Sequence, residues 1–166
     1  MMLGTTGGLS KTGINGIRGQ TLHWLELYLA NRKKVVGVKG QSSQLQDISV
    51  EVPQASVLGP TVFSCFINDL PSVIRSEVGM FADDCTMFST IRNSSDTEAV
   101  HVQMQQDLDN IQAWADKWQV TFVPHKCQAM TITNKRHSNH RPLTFNGVTV
   151  TESSTVNILG VTIDQN

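Results

Sequence analysis

The chain is short of charge. It has 13 Lys and Arg and 14 Asp and Glu among 166 residues, 16% in all, with a net charge of −1. No run approaches the ~20 apolar residues that a bilayer-crossing helix needs. There are only three cysteines, Cys65, Cys85 and Cys127, an odd number at unpatterned spacing. That argues against a disulfide framework and predicts reduced thiols in an intracellular setting, nuclear or cytoplasmic. Met1 to Ser10 is small and glycine-rich and lacks the cationic and apolar regions of a secretion signal. What is present is 39% hydrophobic residues in a length sufficient for one domain with a core.

The near-zero net charge hides a segregation. No acid precedes Glu26, while Lys11, Arg18, Arg32, Lys33, Lys34 and Lys39 all lie in the first forty residues. Lys126, Lys135, Arg136 and Arg141 form a second basic zone without an acid between them, and most acids fall from Asp47 to Asp116. Basic flanks around an acidic centre suit a protein that holds phosphate backbones around a metal.

The densest chemical signal is Phe81-Ala82-Asp83-Asp84. Val78 to Phe81 and Cys85 to Phe88 read as two strands, which puts adjacent carboxylates at a hairpin tip. A turn built for folding alone favours Asn-Gly or Asp-Gly. Two neighbouring acids repel each other unless a divalent cation neutralises them, and Mg²⁺ is held by one or two carboxylates plus substrate phosphates. On the tetrapeptide alone, a solvated acidic turn fits as well.

Elsewhere the pattern is mixed. Leu22, Leu25 and Leu29 predict a helix near 20–30, and Val35, Val36 and Val38 a strand followed by a turn at Gly40 to Ser43. A second short strand is expected at Ile48 to Val52. Pro53 to Pro60 reads as a loop, and Thr61 to Ile74 as a buried helix opened by Pro60 and ended by Pro71. Ser95 and Glu98 form a capping-box pattern. It leads into a long helix with Met104, Leu108, Ile111, Ala115 and Trp118 on one face and Glu98, Asp107, Asp109 and Asp116 on the solvated side. Ala129 to Thr133 is a strand candidate. Asn146-Gly147 between Leu143 to Phe145 and Val148 to Val150 predicts a hairpin. Ile158 to Ile163 reads as a last strand with Gly160 inside it. Thr133 to His140 is the best candidate for a loop. The expected class is α/β in the broad (α+β) sense, helices on a small, mainly antiparallel sheet.

A second constellation is Val52-Pro53-Gln54-Ala55-Ser56-Val57-Leu58-Gly59-Pro60, then Phe63 and Phe66-Ile67-Asn68-Asp69-Leu70. Followed by Phe81 to Asp84, it resembles the ordered motifs of reverse transcriptases from non-LTR, LINE-like retrotransposons. Gly16-Ile17-Arg18-Gly19, Trp24, Tyr28-Leu29 and Asn31-Arg32 resemble the preceding segment of those enzymes. Trp114, Trp118, Phe122, Lys126-Cys127 and Met130 resemble the following helix and its lysine-bearing turn. Leu159-Gly160-Val161 and Asp164 resemble the hairpin that grips the primer end. The resemblance covers roughly 13–164.

It implies a partial polymerase palm at 13–133, a basic loop at 134–141, and a primer-grip-like hairpin and strand at 142–166. The implied reaction is RNA-directed DNA synthesis, attack of a primer 3′-hydroxyl on the α-phosphate of a dNTP, with Mg²⁺ (or Mn²⁺) ions stabilising the attacking and leaving oxygens. Asp83 is the implied direct metal ligand, with Asp84 supporting the site. Phe81 packs beneath the sugar or the hairpin, and Gln54 and Ser56 lie along the nucleotide and template. Lys126 is implied to neutralise or protonate departing pyrophosphate, with a plain surface lysine as the alternative, and Leu159 and Gly160 to position the primer. The implied partners are an RNA template, a DNA primer and a dNTP.

Three departures stand out. The family carries a further metal-binding aspartate upstream, whereas no acid precedes Glu26 here; Ala55 replaces a glycine, and Val123 an asparagine. The expectation is therefore an enzyme by ancestry with little or no activity as this isolated chain, either part of a longer polymerase or a non-catalytic module that binds nucleic acid or protein. An unpaired sheet edge is expected to promote self-association.

Overall fold

The computed structural model describes residues 2–3, 16–48, 56–133 and 141–165. Gln54, Ala55, residues 49–52 of the expected second strand and residues 134–140 of the expected loop lie outside them. The chain divides into two compact units, one of Met1–Asp69 with Ala115–Thr121, the other of Leu70–Trp114 with Phe122–Asn166.

In the first unit, helix α1 (Gly19–Leu29) buries Leu25 and Leu29. They pack with Val62 of α2 (Gly59–Ile67), and Ile17 and Tyr28 close the cluster. Trp24 stacks on Tyr28, centroids 5.4 Å apart, at i,i+4 spacing. The Pro at the first turn of α2 sits where a missing N–H costs nothing. This helix is shorter than expected. It ends at Ile67, and Leu70–Val73 forms a separate 3₁₀ turn containing Pro71, because that proline cannot continue the ladder. Phe66 meets Trp118 edge-on at 6.5 Å.

The expected valine strand is part of a two-stranded hairpin. β2 (Lys33–Lys34) pairs with β5 (Gln46–Asp47), and β3 (Gly37–Val38) with β4 (Gln41–Ser42), all antiparallel. Between these pairs, Val35 and Val36 oppose Ser43, Gln44 and Leu45, so the returning strand carries one extra residue, a β-bulge. The Ser43 hydroxyl fills it, accepting the Val36 N–H at 3.0 Å and donating to the Gln44 carbonyl.

The second unit is organised on α3 (Thr97–Trp118), whose last turn belongs to the first unit. The expected capping box does not form. Ser95 lies in a 3₁₀ turn, Ser94–Asp96, and its hydroxyl donates to Asp96 at 3.1 Å instead of serving the helix. Ile111, Ala115 and Trp118 are buried as expected, Met104 and Leu108 are half-buried, and Trp114 joins the buried set. Asp107 is not on the solvated side; it is fully buried.

Short antiparallel hairpins complete this unit: β6–β7 (Glu77–Phe81, Asp84–Phe88), β10–β11 (Thr144–Phe145, Val148–Thr149) and β13–β14 (Thr155–Ile158, Val161–Asp164). β9 (Gln128–Ala129) runs parallel to β12 (Thr151–Glu152), so only the start of the expected 129–133 strand is one. Ile158 to Ile163 is the turn of a hairpin rather than one strand, with Leu159 at φ 52° and Gly160 at φ 82°. Two successive positive φ values define the I′ turn that matches strand twist, and Asn146-Gly147 adopts the same form. In the first unit, β1 (Met2–Leu3) pairs with β8 (Val120–Thr121). The class is thus the expected mixture of helices and small, mainly antiparallel sheets. Among the described residues no helix is long and apolar enough to cross a membrane.

Candidate active site

The acidic pair sits where its sequence places it. β6 and β7 pair from Glu77↔Phe88 to Phe81↔Asp84, leaving Ala82 and Asp83 as the two turn residues. Side chains alternate along each strand. Val78, Met80, Cys85 and Met87 are half-buried and pair across one face, Val78 with Met87 and Met80 with Cys85. The opposite face carries Gly79, Phe81, Asp84 and Phe88, all exposed. Phe81 and Asp84 stand directly across from each other on it, and Asp83 is one residue away at the tip.

The tip is unusual. Ala82 has φ 50° while Asp83 stays out of the left-handed region, the φ pattern of a II′ turn, whose first central position is normally glycine. An L-residue in that region costs roughly 1–2 kcal/mol. Backbone strain of this kind concentrates at functional sites.

Both carboxylates are exposed, and among the described residues neither side chain has a hydrogen-bond or ion-pair partner. Their oxygens suit a hard cation, and Mg²⁺ takes one or two carboxylates with substrate phosphates and waters completing its octahedron. The pair therefore fits a share of a metal site. Among the described residues no group of three or more His, Cys, Asp or Glu gathers in metal-binding fashion.

What fixes the hairpin is a residue that sequence reasoning assigned to solvent. The Asp107 carboxylate accepts the N–H of Arg75 at 2.9 Å on one oxygen and of Ser76 at 2.9 Å on the other, immediately before β6. Gln103 donates to it at 3.1 Å from one turn back. Burial pushes this carboxyl's pKa up. The Ser76 hydroxyl, the two backbone N–H groups and Gln103 oppose that, and the net direction is down. The Ser76 hydroxyl lies beside the carboxylate without reaching full hydrogen-bond geometry. Asn110 adds a donor to the Val73 carbonyl at 3.0 Å. One face of α3 thus holds the chain entering β6 at three backbone sites, the Val73 carbonyl and the Arg75 and Ser76 N–H groups.

The same helix also holds β10. The Gln105 amide donates to the Thr144 carbonyl and accepts the Thr144 N–H, both at 2.9 Å, as a neighbouring strand would. Phe122 meets Phe145 edge-on at 5.7 Å.

The other expected site residues have local roles. The Ser56 hydroxyl accepts the Gly59 N–H at 3.0 Å, satisfying a free donor at the start of α2. Lys126 ends the 3₁₀ turn Pro124–Lys126 and is exposed. Leu159 and Gly160 form the β13–β14 turn, where Asn157 accepts the Gly160 N–H at 3.0 Å and Leu159 is 56% exposed. Gln54 lies outside the described residues. Cys85, next to Asp84, has its thiol pKa raised by burial and then by the nearby Cys127, whose own thiol is raised by burial; both favour the inert protonated form.

Comparison with known proteins agrees with this arrangement. The family described as reverse transcriptase (RNA-dependent DNA polymerase) matches residues 11–163. The RNA-directed DNA polymerase from mobile element jockey of Drosophila melanogaster is 32% identical over 146 residues, 83% of this chain and 16% of that protein. Its counterpart from Drosophila funebris is 31% identical over 154 residues, 88% of this chain and again 16% of the relative. The chain therefore spans about a sixth of the length of these relatives. No solved structure matches it. The ordered motifs, the acidic hairpin tip and the match over nearly the whole length together make this chain a member of the reverse transcriptase (RNA-dependent DNA polymerase) family, of the kind carried by non-LTR retrotransposons.

Proposed function

We infer that the chain is the palm portion, with the start of the thumb, of an RNA-directed DNA polymerase that works inside the cell on an RNA template and a DNA primer. The observation that carries this reading is the hairpin tip: adjacent, exposed, unpartnered Asp83 and Asp84 on a strained turn, within a family match over 11–163. In the proposed scheme Asp83 holds the divalent cation, Mg²⁺ or Mn²⁺, and Asp84 supports it. When bound, the metal lowers the charge barrier on the attacking and leaving oxygens. Phe81, beside Asp84 on the exposed face, offers a ring for a sugar to rest on. Gln54 and Ser56 serve the nucleotide and template side, Lys126 the departing pyrophosphate, and the Leu159-Gly160 turn the primer backbone. The domain division follows: palm at 13–133, basic loop at 134–141, and primer-grip-like hairpin at 142–166.

These 166 residues supply the acidic pair without a third carboxylate from upstream, since the first acid is Glu26 on α1. In-line transfer depends on both metal ions being held. The isolated chain is therefore expected to bind primer–template without extending it. β6 and β7, which among the described residues pair only with each other, offer edges for self-association. Primer extension on an RNA template with Mg²⁺ and dNTPs tests the reading. Salt-sensitive binding with negligible extension is expected. Robust extension abolished by Asp83→Ala would overturn the inactivity, and absence of any binding would overturn the nucleic-acid function.

A further inference from the structure

Among the described residues, the bulged hairpin of β2 to β5 is the longest continuously exposed segment: every residue from Lys33 to Asp47 is exposed. None of its side chains is buried, yet its strands are held by paired backbone, by the Ser43 hydroxyl in the bulge and by the Ile48 N–H on the Arg32 carbonyl at 2.8 Å. A short hairpin with no core face of its own is marginal in water unless something else uses it. Its composition says what that is. Three lysines face one aspartate, and only Lys33 is paired to it, at 3.5 Å. Among the described residues, the side chains of Lys34 and Lys39 have no hydrogen-bond or ion-pair partner. Gln41, Ser42, Gln44 and Gln46 line the returning strand with neutral donors, and Val35, Val36 and Val38 add exposed apolar surface without an aromatic side chain. Lysine, glutamine and serine on an exposed ribbon match phosphate and sugar oxygens, which supply half or more of the hydrogen bonds in nucleic-acid complexes.

We propose that the Lys33–Asp47 hairpin is a sequence-independent docking arm for the phosphate backbone of the nucleic acid, contacting it through Lys34 and the turn lysine Lys39. This rests on the nucleic-acid reading above but concerns surface remote in sequence from the acidic tip, which the reading leaves without a role. Lys39, at φ 49° in a Lys39-Gly40 turn, stands at the end of the ribbon, and Lys34 lies at the other end of it, across from Gln46. Each phosphate contact by a lysine releases counterion and contributes roughly −0.9 to the slope of log K against log salt on a duplex, or about −0.7 on a single strand.

The test is a salt titration of the whole chain against a fluorescein-labelled RNA–DNA primer–template duplex, comparing wild type, Lys34→Gln/Lys39→Gln and the charge-matched Arg75→Gln/Arg92→Gln. The hairpin variant is expected to flatten the slope by roughly 1.4–1.8, so that between 50 and 200 mM salt wild type loses roughly 7–12-fold more affinity than the variant does. The Arg75/Arg92 variant should keep the wild-type slope. Wild-type binding with an unaltered slope in the hairpin variant overturns the arm and leaves the nucleic-acid reading standing. An equal change in both variants also overturns it, since net charge would then be the cause. No binding by wild type at 50 mM salt overturns both.

Discussion

The carboxylate of Asp107 accepts the backbone N–H of Ser76, one residue before the strand that ends in the acidic tip. With the matching bond from Arg75, it ties the middle of α3 to the base of β6. Asp107→Ala would leave two backbone donors without their partner in a buried place, and hydrogen bonds to charged groups are each worth about 1.5–3 kcal/mol. A loss of about 3 kcal/mol is expected in urea unfolding, with a smaller loss for Asp107→Asn, which keeps the shape and one acceptor. A change in Asp107→Ala below about 0.5 kcal/mol, the level of an ordinary surface substitution, would show that the clamp holds nothing.

The same carboxylate gives a pH signature. Its folded pKa lies below the ordinary value of 3.8. Its contribution is therefore complete above the unfolded value and is lost as pH falls through the lower folded one. The stability gap between wild type and Asp107→Asn should be constant from neutral pH to about 5 and shrink below about 4. Urea midpoints across that range measure it. A gap that widens toward acid would mean that burial outweighs the four donors and that the folded pKa is raised.

Asp107 also shows what the sequence made legible and what it did not. The 3.6-residue stripe of α3 was readable, and Asp107 falls in its phase, three residues after Met104 and four before Ile111. Its position in the stripe points inward, while an aspartate by residue type points outward. The deciding information is the backbone N–H groups of Arg75 and Ser76 that donate to it, which belong to a segment 32 and 31 residues away. The tip at Asp83 and Asp84 was legible because strand alternation and two adjacent acids are local signals. The Asn146-Gly147 turn was legible for the same reason. Leu159-Gly160 read as strand, since leucine rarely takes φ above zero and only the Asn157 acceptor and the partner strand place it in a turn. The bulge at Ser43 carries no local signature, because it depends on which residue opposes which.

The turn residue Ala82 offers a test of local strain. Glycine at φ 50° removes the Cβ conflict but adds unfolded-state entropy, terms of opposite sign and roughly 1–2 and 0.4–1 kcal/mol. Ala82→Gly should therefore stabilise the chain by about 0.5 kcal/mol, and Ala82→Val should destabilise it. Thermal melts that rank the three in the reverse order would remove the strain from the account of the tip.

Gln105 imitates a strand edge, and its effect should be local. Gln105→Ala frees the Thr144 N–H, so amide exchange at Thr144 should quicken at least several-fold. Global stability should fall by no more than about 1 kcal/mol, the size of an ordinary net hydrogen bond, because the site is exposed. Unchanged exchange at Thr144 would contradict the pairing.

The central claim is that Asp83 and Asp84 form the chain's share of a polymerase metal site. Titration of the isotopically labelled chain with Mn²⁺, a paramagnetic cation with the same preference for oxygen ligands as Mg²⁺, tests it most directly. The account predicts selective broadening of amide signals centred on residues 82–85 at weak affinity, removed by Asp83→Asn/Asp84→Asn. Broadening centred elsewhere, or unchanged in that variant, would contradict it.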